Sequence, residues 1–182
     1  SFKTYCAATL ALFESIQEVT GKNIIVDSTK SPQRIAVLRR ISDVKVIHLC
    51  RSAKGVLNSS KRSSEKNVKA GVENDFPPRR TSKALTEWIF TNLITEIQCI
   101  GVKSVKLKYE DYVCNLKKVE ELDESISISS QYFSTPHMLA GNVIRLKKDI
   151  QLNPNIGFNY ARLSKRQLTI ASYIDKIFPF WS

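Results

Sequence analysis

Residues 24–60, IIVDSTKSPQRIAVLRRISDVKVIHLCRSAKGVLNSS, decide how this chain is read. Two apolar β-branched runs, Ile24-Ile25-Val26 and Val44 to Leu49, flank a segment with helical spacing at Ile35, Leu38 and Ile41. The pattern predicts strand, loop, short helix, strand, turn and helix. That is a βαβ unit with parallel strands and a right-handed crossover. Ligands of open α/β sheets sit beyond the carboxyl ends of the strands. Polar groups bunch there: Asp27-Ser28-Thr29-Lys30 follows the first strand, and Arg51-Ser52 follows the second and opens into a helix carrying Ser59 and Ser60.

The chemistry favoured at those ends is phosphate binding. Arg51 offers a planar five-donor fork suited to a dianion. Ser59, two turns into the following helix, adds a hydroxyl on roughly the same side, and Lys54 adds charge. Spacing alone fits an ordinary strand–turn–helix with a solvated basic edge equally well.

Composition bounds the class. A chain of 182 residues suits one domain, residues 1–182, with a sizeable core. Hydrophobic residues at 42% and charged residues at 25% make it globular rather than disordered. The formal net charge of +11 implies an anionic partner: nucleotide, acidic glycan, nucleic acid or lipid headgroup. Nucleic acid is disfavoured, because the aromatics do not interleave with the basic residues as a stacking platform requires. Four cysteines, at 6, 50, 99 and 114, contain no CxxC pair, which argues against structural zinc. No apolar run approaches membrane-spanning length.

Along the rest of the chain, residues 4–20 predict an amphipathic helix with Tyr5, Leu10, Phe13 and Ile16 toward the sheet, ended by Gly21. His48, inside the second strand, reads as a core histidine. Residues 61–81 read as a long polar surface loop. Ser82 is the expected cap of a helix reaching about Ile100, with Leu85, Trp88, Ile89, Leu93 and Ile97 on one face. Residues 105–108 alternate as a strand, and Ser164 to Phe178 form a closing helix with Leu168, Ile170, Tyr173, Ile174 and Ile177 inward. Asn58-Ser59-Ser60 is an N-x-S match inside the proposed phosphate site and is not expected to carry a glycan.

Several of these segments carry a resemblance. LCRSAKGVLNSSKR (49–62) resembles the 3′-phosphate-binding segment of sulfotransferases that use 3′-phosphoadenosine 5′-phosphosulfate (PAPS), with an Arg at a strand end and a Ser eight residues later: Arg51 and Ser59. IIVDSTKSPQR is similar to the family's preceding strand, whose end faces the sulfuryl group. Trp88 and Asn92 echo its W-x3-N helix, and Tyr109-Glu110-Asp111 matches its Y-E-D. HMLAGNVIRLKKDIQLN (137–153) resembles the H-x-x-x-G-N-x-x-R segment of carbohydrate-type members.

The resemblance implies a three-layer α/β fold with a mainly parallel sheet, of P-loop nucleotide hydrolase type. It implies transfer of a sulfuryl group from PAPS to an acceptor hydroxyl or amine, on a carbohydrate or small molecule, with no metal. By it, Arg51, Ser59, Gly141, Asn142 and Arg145 surround the cofactor phosphates and Tyr109 lies near the adenine. Lys30 faces the transferring group, and Asp27 is either a general base or a cap for the next helix. The family's first strand and Gly-rich 5′-phosphosulfate loop have no counterpart, since the six glycines stand alone; the chain is therefore expected to be a C-terminal portion. The rivals are an anion-binding relative that has lost the donor loop, and a P-loop kinase. The carbohydrate-type segment points to a Golgi lumen with any membrane anchor outside this chain, or otherwise to a cytoplasmic enzyme.

Overall fold

The computed structural model describes residues 1–63, 77–109, 132–134, 149–151 and 160–182. Among these the chain is α/β. Five helices are described: α1 (Phe2–Thr20), α2 (Gln33–Ile41), α3 (Ala53–Ser60), α4 (Thr81–Cys99) and α5 (Lys165–Ile177). Four strands accompany them: β1 (Lys45–Cys50), β2 (Lys103–Lys108), β3 (Tyr132–Ser134) and β4 (Asp149–Gln151). β1 and β2 form a two-stranded parallel sheet. β3 and β4 pair antiparallel, with Phe133 opposite Ile150. No helix among the described residues is long and apolar enough to cross a membrane. The chain divides into two compact units, Ser1–His48 with Phe90–Val105, and Leu49–Ile89 with Lys106–Ser182.

In the first unit, Ser1 caps α1 by accepting from the Thr4 N–H, and Gly21 ends the helix in the left-handed conformation, at φ 64°. Tyr5 and Phe13 do not face a sheet. They face the Arg34 guanidinium of α2, at 5.5 and 5.8 Å from their ring centroids. Leu10 and Ile16 stay partly exposed, and Thr9 and Val37 are the buried residues of the two helices.

The strand expected at Ile24-Ile25-Val26 is absent. Residues 22–30 carry no regular structure, with Ile24 58% and Val26 86% exposed. A strand exists only through a hydrogen-bonded neighbour, and the described residues pair no strand with this run. Directly after it, the Asp27 carboxylate turns the backbone by accepting from the Thr29 N–H at 3.0 Å. The parallel pair is instead β1 with β2, connected through α3 and α4.

β1 alternates. Val46, His48 and Cys50 are buried, while Ile47 and Leu49 remain nearly half exposed. His48 has an acceptor at each nitrogen, Asn92 Oδ1 at 3.0 Å from Nε2 and Glu96 Oε1 at 3.5 Å from Nδ1. This explains a second departure, on α4. Leu85 and Trp88 of the expected stripe are buried and Ile89 packs against the core, but beyond them the buried positions are Asn92 and Thr95, while Leu93 and Ile97 are exposed. Both continuations have helical spacing; Asn92 turns inward to meet His48, and the Thr95 hydroxyl donates to the Thr91 carbonyl. The helix also starts at Thr81, so Ser82 lies in its first turn rather than at its cap.

The second unit holds the hydrophobic core: Cys50, Ala53, Leu57, Ala84, Leu85, Trp88, Leu163, Ala171 and Trp181, with Leu168, Ile174 and Phe178 against them. Trp88, Phe178 and Trp181 form an aromatic triad. Phe178 and Trp181 stack at 4.8 Å, and the Trp88 ring meets both edgewise, at 6.1 and 5.6 Å. α5 opens with a capping box between Ser164 and Gln167. Its inward stripe is Leu168, Ala171 and Ile174, whereas Ile170, Tyr173 and Ile177 face outward. Leu57 on α3 is fully buried. Leu57→Ala should cost about 2–5 kcal/mol in a urea unfolding titration; a loss below about 1 kcal/mol would show that the packing around α3 is loose.

Candidate functional site

Parallel strands bring the residues that follow them to the same end of the sheet. Arg51 comes directly after β1 and Tyr109 directly after β2. The structure brings the two together: the guanidinium carbon of Arg51 lies 4.9 Å from the Tyr109 ring centroid. The backbone of Arg51 is held from both sides. Its carbonyl accepts from the indole Nε1–H of Trp88 at 2.8 Å. The next residue, Ser52, is the N-cap of α3 and accepts from the Gly55 N–H at 3.2 Å.

The side chain of Arg51 lies along the first turn of α3. A Cβ at Gly55 would stand 2.7 Å from the Arg51 Nε, so the guanidinium uses the space that glycine leaves. Among the described residues that buried Nε meets no hydrogen-bond acceptor. An unmet N–H on a charged group is unfavourable in a folded protein, and an anion is one partner that relieves it. Ser59 sits two turns along the same helix with its residue exposed.

Asp175 of α5 stands at the start of α3, accepting from the Ala53 N–H at 2.6 Å, with its other oxygen 3.9 Å from the Lys54 Nζ. Lys54 also lies 5.7 Å from the Tyr160 ring centroid. The charge assigned to Lys54 is thus partly spent on an internal carboxylate. Asn58 is buried, and its Oδ1 accepts from the Arg162 N–H at 3.1 Å.

Lys30 and Asp27 belong to the first unit, and Arg51, Ser59 and Tyr109 to the second. Lys30 is exposed. Asp27 is engaged on both oxygens: Oδ1 accepts from the Thr29 N–H and hydroxyl, and Oδ2 from the Arg34 Nε at 2.9 Å. Arg34 in turn donates to the Tyr5 hydroxyl at 2.9 Å and the Thr9 hydroxyl at 3.1 Å. Burial alone would raise the Asp27 pKa, but the hydrogen bonds from Thr29 and Arg34 and the guanidinium charge outweigh it and hold the carboxyl below its ordinary value. A carboxylate so held is a weak base, and its visible work is to tie α2 to the loop before it. Gly141, Asn142 and Arg145 lie outside the described residues, as do Glu110, Asp111 and His137. Arg79 pairs with Glu87 at 2.7 Å. Among the described residues no group of three or more His, Cys, Asp or Glu is placed to hold a metal ion.

No family model, curated protein or solved structure matches this chain. The reading of the site therefore stands on its own residues.

Gly55, Trp88 and Asp175 are the members that sequence reasoning did not assign to the site. Trp88 was legible as part of an apolar stripe, and its indole N–H is a donor that a buried tryptophan must satisfy. Gly55 carries no local signal, and Asp175 lies 122 positions from the helix it caps.

Two outcomes are expected. Asp175→Ala should destabilise the protein by about 0.5–2 kcal/mol in chemical unfolding, and Asp175→Asn by less, because its amide oxygen still accepts from Ala53. Asp27→Asn should destabilise at neutral pH by about 1 kcal/mol. Because the folded pKa is lowered, the wild-type advantage is fully present above the unfolded value and is lost as pH falls through the folded one. Unfolding titrations from pH 7 to pH 2 should therefore converge for the two proteins at the acid end; a constant gap would mean the carboxylate charge is not what Arg34 holds.

Proposed function

We propose that this chain carries the nucleotide-binding part of a PAPS-dependent sulfotransferase of three-layer, P-loop-hydrolase-like architecture. The observation that carries the reading is the Arg51 guanidinium, placed beyond the carboxyl end of a parallel strand with a buried Nε–H that no group among the described residues meets. The 3′-phosphate of the donor is the anion this reading assigns to it, with the Ser59 hydroxyl as a second donor. The proximity of Tyr109 to Arg51 supports placing both at one nucleotide.

In the proposed reaction the acceptor oxygen or nitrogen forms a bond to sulfur, and the bond from sulfur to the 5′-phosphate oxygen breaks. The acceptor proton goes to a base, and adenosine 3′,5′-bisphosphate leaves. Such transfers ask the protein for positioning and for charge around the transferring group. For Lys30 as a cation toward the sulfuryl group, and for Gly141, Asn142 and Arg145 around the phosphates, the support is the resemblance alone. The acceptor, a carbohydrate or small molecule, and a Golgi or cytoplasmic setting rest on the same ground.

A second reading, an anion-binding relative without turnover, draws on Asp27. Its carboxylate is committed to Arg34 and Thr29 and held in its charged form, which is poor preparation for taking an acceptor proton.

Calorimetric titration with adenosine 3′,5′-bisphosphate and with 5′-AMP tests the nucleotide assignment. The bisphosphate should bind more tightly, and Arg51→Ala should erase the preference, a loss of about 1.5–3 kcal/mol. Equal binding of both nucleotides, unchanged in Arg51→Ala, would overturn it.

A further inference from the structure

We infer that Tyr109 and Gly55 are positioning residues for Arg51. The phenol ring is a floor beneath the guanidinium, and the missing side chain at position 55 is the slot that its Nε occupies. The inference rests on the reading of Arg51 as the phosphate-binding group and deepens it: the fork is set in one orientation before any anion arrives.

An arginine side chain has four rotatable bonds, and a free one loses that freedom on each binding event. Here the freedom is already restricted. The ring centroid of Tyr109 lies 4.9 Å from the guanidinium carbon, within the range in which a cation is attracted to an aromatic face. The Trp88 indole fixes the Arg51 carbonyl at 2.8 Å, so the side chain departs from an anchored backbone.

Gly55 completes the arrangement. It lies in the first turn of α3 and has no positive φ, so the conformational freedom of glycine does not account for it. Within a helix alanine is the more stabilising residue. Space accounts for it. A Cβ there would meet the Arg51 Nε at 2.7 Å, the Arg51 Cγ at 3.1 Å and the Ser52 hydroxyl at 3.1 Å. The closest of these belongs to a flexible side chain, so the added methyl should expel the guanidinium rather than unfold the helix. A merely structural glycine would lose stability on substitution. This one should keep or gain stability while losing control of Arg51.

The resemblance puts Tyr109 near an adenine, whereas its contact in the structure is the guanidinium. The ring's face, not its hydroxyl, makes that contact, so phenylalanine should serve in its place and leucine should not.

The test reads Arg51 directly. In a ¹⁵N–¹H correlation spectrum the Arg51 Nε–H signal is assigned by its disappearance in Arg51→Ala. In the wild type it should be shifted by the aromatic ring and exchange slowly with water. Tyr109→Phe should keep both properties; Tyr109→Leu and Gly55→Ala should move the signal to the position of solvent-exposed arginines and speed its exchange. Titrated with adenosine 3′,5′-bisphosphate, Tyr109→Leu should bind about five- to tenfold more weakly and Tyr109→Phe within about twofold of wild type. Gly55→Ala should fall toward Arg51→Ala while unfolding at an equal or higher urea concentration than wild type. An Arg51 signal unmoved in Tyr109→Leu and Gly55→Ala would overturn the inference. A signal that moves as described, in a protein that does not prefer the bisphosphate, would uphold the positioning of Arg51 and overturn the nucleotide reading alone.

Discussion

The hydrogen bond from the Trp88 indole to the Arg51 carbonyl joins the two parts of the structure that matter most to it. On one side is the edge-and-stack cluster of Trp88, Phe178 and Trp181, part of the hydrophobic core of the second unit. On the other is the turn between β1 and α3, where the chain must stop pairing and start a helix within two residues. An unbonded indole N–H in that core would be costly, and so would an unbonded carbonyl at the strand exit. Each answers the other. The turn is thereby fixed to the core, and the Arg51 side chain starts from a known place.

Around that anchor two first-turn donors of helix α3 are met from two directions. Ser52 takes the Gly55 N–H, and Asp175, brought from the closing helix, takes the Ala53 N–H. Among the described residues, the Arg51 Nε is a buried donor that meets no hydrogen-bond acceptor. The local electrostatics are thus divided: the helix end has an internal anion, while the guanidinium, stacked on Tyr109, has its charge eased by a ring and its Nε donor unmet. That division is why the site is read through the arginine and not through the helix end.

The first unit works by a different rule. Its helices meet across a charged group, Arg34, which bonds to Asp27, Tyr5 and Thr9 and lies against two rings. His48, Asn92 and Glu96 repeat the theme between β1 and α4. Polar networks of this kind are stable when their members satisfy one another, and they are hard to read in advance, because each member looks like a surface residue until its partner is known.

The sequence by itself determined the helices and both strands of the parallel pair, since periodicity, Gly21 at φ 64° and the Ser164 capping box are local properties of the chain. It also determined that Arg51 would stand beyond a strand end, because the strand exit and the cap at Ser52 are adjacent in the chain. Only the tertiary structure decided which of two helically spaced stripes on α4 is buried, because His48 had to be present to make Asn92 the inward residue. It decided that Ile24 to Val26 is no strand, because a strand is a relation to a neighbour and β1 pairs with β2 instead. And it decided what Gly55, Tyr109 and Asp175 do, since a vacancy, a ring face and a carboxylate acquire a role only when residues far along the chain are folded against them.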